Sequence, residues 1–153
     1  MTEETSAHPP GLIQVYTGDG KGKTTAALGL ALRAAGHNMR TYIGQFLKGR
    51  DYGELESVKR LAPYVTLEQY GLDAWVHVGN VTPEQRQAAL AGLEKARLAL
   101  LSGEHDIVIL DEVNVALHFD VLDEAEVLDL IESKPAHVEL ILTGRRAPQA
   151  SPR

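Results

Sequence analysis

The sequence predicts an α/β fold of three layers, in which helices flank a mostly parallel β-sheet. Short apolar runs rich in β-branched residues alternate along the chain with segments of helical periodicity, an order typical of βαβ units. Residues 107–110, Ile-Val-Ile-Leu, are apolar on both faces, as expected of a central strand covered by helices. Polar clusters follow three of the predicted strands, at 17–25, 111–112 and 143–146. Because sites in such sheets lie at the carboxyl ends of the strands, we expect functional residues there.

The individual elements follow from the same patterns. The third helix has the clearest start, since Thr82 precedes Pro83 and Gln85 in a capping-box arrangement with proline at the first helical position. Gly36 is expected to end the first helix, in the left-handed conformation common at that point. The predicted strands are 12–16, 41–46, 65–70, 107–110 and 138–142, and the predicted helices are 23–35, 54–61, 83–101 and 123–132.

Composition limits the class of protein. The length of 153 residues suggests a single domain, at 11–153. Residues 1–10 are polar and acidic, and we expect them to form a flexible tail. A formal net charge of −6 argues against nucleic acid as the main partner, and no apolar run approaches the roughly 20 residues that span a membrane. With no cysteine and no apolar signal segment in the tail, we expect a cytoplasmic protein.

The segment 17–25, Thr-Gly-Asp-Gly-Lys-Gly-Lys-Thr-Thr, lies between the first predicted strand and the first predicted helix. Glycine-rich loops in this position typically bind phosphate. The usual pattern G-x-x-x-x-G-K-[ST] is matched in its second half by residues 22–24, but Thr17 stands where the first glycine is expected. The alternative is a flexible turn rich in glycine and lysine.

The chemistry of this loop would be divided among its residues. Gly18 and Gly20 allow consecutive backbone N–H groups to converge on an anion. Lys23 would place its ammonium on the phosphates, and the Thr24 hydroxyl would hold a magnesium ion. The helix over 23–35 would point its positive end at the same anion.

Asp111 and Glu112 follow the most apolar predicted strand. In a protein with a phosphate loop, acidic residues in this position normally face the magnesium ion. The alternative is that they cap a helix, because carboxylates are also favoured at a helix N-terminus.

With these residues the sequence resembles the ATP:corrinoid adenosyltransferases, which also carry threonine in place of the first glycine of the loop. The likeness extends from about residue 11 to 148 and implies a fold like that of the P-loop NTPases. The further motifs that carry it are Gln45-Phe-Leu-Lys-Gly49, Val108-Ile-Leu-Asp-Glu112, Asn114-Val-Ala-Leu117 and Leu142-Thr-Gly-Arg145.

The resemblance implies a specific reaction. The family binds ATP with Mg²⁺ (or Mn²⁺) so that the ribose 5′-carbon faces the corrinoid, and Co(I) of cob(I)alamin attacks that carbon while triphosphate leaves. Two alternatives remain open from the residues: an ATPase or kinase that cleaves at the γ-phosphate, and a non-catalytic nucleotide- or corrinoid-binding protein.

Site residues carried over from the resemblance form four groups. Asp19 would lie near the ribose, and Arg33 would reach a phosphate oxygen. Thr24 and Glu112, with Asp111, would hold the metal. The phosphate contacts implied are Gly18, Gly20, Lys21, Gly22, Lys23, Thr24 and Thr25, and the residues that act in catalysis are Lys23, Thr24, Arg33 and Glu112.

Other positions keep two interpretations. Leu72 and Trp75 are candidates to contact the corrin, although a lone tryptophan is more often a core residue. Arg145 either binds phosphate or lies in a solvated turn, and the same two interpretations hold for Lys48 and Arg50.

The end of the sequence departs from the family pattern. Family members continue with a helix and a further strand, whereas residues 147–153 are rich in proline and small residues, which do not favour a helix. We expect an edge element to be absent or supplied by another subunit. The resemblance further implies a homodimer and a flavoprotein reductase as partner.

Overall fold

The computed structural model describes residues 10–47, 49, 53–71, 79–145 and 147. Strands and helices alternate along most of this part of the chain, as the sequence predicts. The elements are β1 (Ile13–Tyr16), α1 (Lys23–Gly36), β2 (Thr41–Gln45), α2 (Gly53–Lys59), β3 (Val65–Gln69), α3 (Pro83–Leu101), β4 (Ile107–Asp111), α4 (Val113–His118), α5 (Glu124–Glu132) and β5 (Glu139–Thr143).

The five strands form one sheet in the order β1-β5-β4-β2-β3, and every pair is parallel. This confirms the predicted fold class. The register pairs Tyr16 with Thr143 and Gln45 with Asp111, so the last residues of β1, β5, β4 and β2 lie along one edge. The last strand of the described residues, β5, lies between β1 and β4. The phosphate-loop strand and the acidic strand are therefore not neighbours.

Helices cover both faces of the sheet. Val108 and Leu110 of β4 pack into a core cluster with α3 and α5, whereas Ile107 and Ile109 pack into a second cluster with α1. All five residues of β4 are buried. The expectation of a central strand covered on both faces is confirmed, because alternate side chains of a strand point to opposite faces.

The element ends agree with prediction in some places and differ in others. The capping box of α3 is present, since Gln85 N donates to Thr82 Oγ1 at 3.1 Å and Thr82 N donates to the Gln85 side chain at 3.0 Å. Gly36 is the last residue of α1, but the left-handed residue is Asn38, with φ 62°. The expectation that Gly36 adopts the left-handed conformation is wrong, because the chain adopts positive φ only two residues after the helix ends, at Asn38.

Helix α4 was not predicted. It has six residues and begins directly after β4, so it is too short to show a helical period against the adjoining apolar strand. Within the described ranges, no helix combines the length and the apolar character needed to cross a bilayer.

Candidate active site

The loop between β1 and α1 has an open, exposed backbone. Gly18 and Gly22 have φ values of 115° and 105°, a region that side-chain-bearing residues rarely adopt. A methyl group built on Gly18, Gly20 or Gly22 would meet nothing within 4 Å. Gly18 and Gly22 are thus needed for the course of the backbone, and the loop is open beside all three glycines.

The start of α1 adds positive potential to this loop. Gly22 is the N-cap residue of α1 and makes no side-chain cap, and Lys23 Nζ donates a hydrogen bond to the carbonyl oxygen of Gly20. The ammonium is therefore held over the loop. The first N–H groups of a helix have no partner within the helix, so loop, lysine and helix end together suit a polyanion.

Asp111, at the end of β4, joins three other elements through its carboxylate. Its Oδ1 accepts hydrogen bonds from Thr24 Oγ1 of α1 at 2.8 Å and from Thr143 Oγ1 of β5 at 2.7 Å. Its Oδ2 accepts one from Gln45 Nε2 of β2 at 3.3 Å. Only 1% of Asp111 is exposed. The structure thus brings Thr24 and Asp111 together, as the sequence analysis expects of metal-binding residues.

This pair has the chemistry of a magnesium site. Because Thr24 donates its one hydroxyl hydrogen to Asp111, the oxygen's lone pairs face away from the carboxylate and are available to a cation. In the described part of the chain, no group of three or more His, Cys, Asp or Glu side chains could hold a metal by itself. Mg²⁺ typically uses one or two protein oxygens together with substrate phosphates and water, and this donor set fits it.

Glu112 has a backbone conformation that is unusual for its residue type. Its φ is 65°, and it occupies the N-cap position of α4, yet its side chain makes no capping hydrogen bond. Its backbone N–H donates to Thr143 Oγ1 at 2.9 Å. The Glu112 carboxylate thus does not cap α4 through a hydrogen bond, which was the alternative to a metal-binding role.

Gln45 extends the network away from Asp111. This fully buried side chain donates through Nε2 to Glu54 Oε2 of α2 at 3.1 Å and accepts through Oε1 from Gln69 Nε2 of β3 at 3.3 Å. Through Gln45, the carboxylate of Asp111 is connected to α2 and to the edge strand β3.

The segment after β5 lies beside the phosphate loop. Ala147 N donates to Thr17 Oγ1 at 3.2 Å, and Asn114 Nδ2 of α4 donates to the carbonyl oxygen of Gly144 at 3.0 Å. Arg145, between these two contacts, is exposed. An exposed position beside the loop fits both interpretations of Arg145, phosphate binding and a solvated turn.

Other predicted residues differ in their placement. Asp19, Lys21 and Thr25 are exposed on the loop and the first turn of α1. Arg33 lies exposed in the last turn of α1, about 15 Å along the helix axis from Lys23 at 1.5 Å per residue. The structure does not bring it to the loop.

Several predictions concern residues outside the described part of the chain. Leu72 and Trp75, the candidates for corrin contact, are among them, and so are Lys48 and Arg50. The tail at 1–9 and residues 148–153 also lie outside the described ranges.

Sequence reasoning missed the roles of Gln45 and Thr143 in this network. Both residues lie within the motifs that carry the family resemblance, but no sequence pattern assigns either of them a function. The available signal was a polar residue at the end of an apolar run, since Thr143 follows Leu-Ile-Leu in β5. A buried polar side chain at that edge needs hydrogen-bond partners, and these are found at the site.

Comparison with known proteins agrees with this geometry. Residues 10–151 match the ATP:corrinoid adenosyltransferase family BtuR/CobO/CobP. The chain is 36% identical to a corrinoid adenosyltransferase of Sinorhizobium sp over 151 residues, which cover 94% of this chain and 68% of that protein. It is 34% identical to corrinoid adenosyltransferase CobA of Salmonella typhimurium over 142 residues, or 88% of this chain and 68% of that protein.

A longer relative shares the same region. The uncharacterized protein all2391 of Nostoc sp. is 37% identical over 152 residues, which cover 91% of this chain but 40% of that protein. The chain thus spans less than half of the Nostoc protein and about two thirds of the two enzymes. From the extent of the family match, and from identities above 30% to named members, the chain belongs to the ATP:corrinoid adenosyltransferase family.

Proposed function

We propose that the chain transfers the 5′-deoxyadenosyl group of ATP to Co(I) of a corrinoid and releases triphosphate. The observation that carries the proposal is the contact between Thr24 and Asp111 beneath an open glycine loop, in a chain of this family. This arrangement would combine a polyanion site with a cation site at one edge of the sheet.

The phosphate loop would bind the triphosphate of ATP. Its backbone N–H groups and the ammonium of Lys23 would share the negative charge of the three phosphates. Arg145, beside the loop, would add a second cation. Asp19 would face the ribose hydroxyls, because a carboxylate next to triphosphate would be repelled.

The residues that would hold a magnesium ion are Thr24 and Asp111, with Glu112. A bound Mg²⁺ supplies charge neutralisation at the triphosphate. Asp111 would hold the Thr24 hydroxyl in the orientation that the structure has, with its lone pairs available to the ion.

The chemical step needs little from the protein beyond position and charge. The electron pair of Co(I) forms the bond to the ribose 5′-carbon, the bond from that carbon to oxygen breaks, and triphosphate leaves with its electron pair. No proton is transferred in this step. Holding the reactants in line and stabilising the leaving triphosphate are therefore the main contributions of the site.

The corrinoid would approach from the side of the ribose. We assign Leu72 and Trp75 to contact with the corrin ring on the basis of the family resemblance. A homodimer and a flavoprotein reductase that supplies Co(I) complete the proposal.

Anaerobic incubation with ATP, MgCl₂ and chemically reduced cobalamin tests the reaction. The proposal expects adenosylcobalamin and triphosphate in equal amounts, followed by absorbance and by chromatography of the nucleotide products. A Leu98→Ala variant is a matched control, because this exposed residue of α3 is outside the site. Formation of ADP with unchanged cobalamin, or nucleotide binding without turnover, would show that the proposal is wrong.

A further inference from the structure

We infer that Thr143 is a positioning residue that holds both acidic residues of the metal site. The inference rests on the proposed function, because it assigns a role within that site. The hydroxyl group of Thr143 contacts Asp111 and the backbone N–H of Glu112, so Thr143 would act on the metal through these two residues.

One hydroxyl group makes both contacts. Thr143 Oγ1 donates its hydrogen to Asp111 Oδ1 at 2.7 Å and accepts the backbone N–H of Glu112 at 2.9 Å. Thr143 is fully buried, so water does not replace these bonds. A valine of the same shape would fill the space but would make neither of them.

The two contacts control different properties of the acidic pair. The bond to Asp111 fixes the rotation of its carboxylate, and the same Oδ1 receives the hydroxyl hydrogen of Thr24. The bond from the Glu112 N–H secures a backbone with φ 65°, which costs energy for a residue with a side chain. Loss of the Thr143 hydroxyl would therefore loosen the Asp111 carboxylate and the Glu112 turn together.

The sheet order explains why this residue comes from β5. Strand β5 lies between β1, which leads into the phosphate loop, and β4, which ends at Asp111. The carboxyl end of β5 is thus placed between the anion site and the cation site. Through Asp111, the Thr143 hydroxyl is connected to Thr24 at the start of α1. This connection is present without a bound ligand.

Substitution of Thr143 by valine and by serine tests the inference. We expect Thr143→Val to weaken Mn²⁺ binding to the protein–ATP complex by about 10- to 100-fold, the usual effect of losing a residue that orients metal ligands. Thr143→Ser keeps the hydroxyl and should stay within about threefold of the original protein by the same reasoning. Mn²⁺ affinity is read by electron paramagnetic resonance, and metal-free ATP binding, which should change little, by calorimetry.

Thr41→Val is the matched control. Thr41 is also a buried strand threonine, at the opposite edge of the sheet, and its hydroxyl has no hydrogen-bond partner. This variant should keep the original Mn²⁺ affinity, and thermal unfolding monitors whether each variant is folded.

The outcomes separate the inference from the proposed function. Unchanged Mn²⁺ affinity in a folded Thr143→Val protein would overturn the inference, and so would equal losses in the valine and serine variants. If the original protein binds Mn²⁺ and ATP but makes no adenosylcobalamin, the proposed reaction fails while the role of Thr143 in metal binding is still decided by the affinities.

Discussion

Replacing Gly92 with alanine should destabilise the fold, although the same change in a helix normally stabilises it. Gly92 lies within α3, and a methyl group there would stand 2.2 Å from Tyr70 Cγ and 2.4 Å from its Cδ2. Ordinary carbon contacts are about 3.5–4.0 Å. The same ring also packs closely against Gly44, where a methyl group would be 2.4 Å from Tyr70 Cε2, so the ring has little room to shift. The Tyr70 hydroxyl is also hydrogen-bonded to Tyr42.

The magnitude follows from two opposing effects. Overpacking a buried position costs about 1–3 kcal/mol, and a contact this close places the cost near the upper value. Alanine regains about 1 kcal/mol of helix propensity. The net loss of about 2 kcal/mol corresponds to a fall of roughly 4–8 °C in the midpoint of thermal unfolding for a chain of this size.

Gly29→Ala is the matched comparison for this experiment. Gly29 lies within α1, and a methyl group there would meet nothing within 4 Å. Its midpoint should rise by roughly 2–4 °C, because only the gain of about 1 kcal/mol applies. Calorimetry of both variants gives the midpoints. Equal shifts of the same sign would refute the reasoning that the Tyr70 ring fills the space beside Gly92.

Three further predictions concern charge. Lys23→Ala should weaken ATP binding by about 10- to 100-fold in calorimetry, the loss expected of one charged hydrogen bond; unchanged affinity would remove Lys23 from the phosphate site. Asp111→Asn should weaken Mn²⁺ binding to the ATP complex by at least about tenfold, because its amide group would direct N–H donors at neighbouring donors; an unchanged resonance titration would contradict this. Burial, and to a smaller extent Arg40, lowers the pKa of His105, so the unfolded chain binds this proton first as the pH falls below about 6.5. The free energy of unfolding, measured by denaturant titration, should therefore decline from pH 7 to pH 5, and it should decline less in His105→Gln. Parallel plots of unfolding free energy against pH for the two proteins would contradict this prediction.

The sequence predicted the elements of the fold better than their arrangement. The predicted third helix has the observed bounds, since its capping box and proline are local signals that lie within the segment itself. The position of β5 between β1 and β4 has no such signal. It depends on which strand edges pair, and that is decided by contacts between distant parts of the chain.

The candidate site was predictable in the same uneven way. The loop and Asp111 belong to short motifs, and the sequence alone predicts their chemistry. Thr143 and Gln45 act through side chains that meet only after the strands have paired. Arg33 lies in the first helix, as the sequence predicts, but the helix rise puts it at the end far from the loop.

The late position of β5 along the chain has a consequence for biosynthesis. Since β5, the strand between the proposed anion and cation sites, ends at Thr143, a nascent chain that has emerged only through Glu112 holds the glycine loop and both acidic residues without the strand that lies between them. Ribosome-bound intermediates of that length would have no strand between β1 and β4, so bound nucleotide would stabilise the complete sheet only after translation has passed β5.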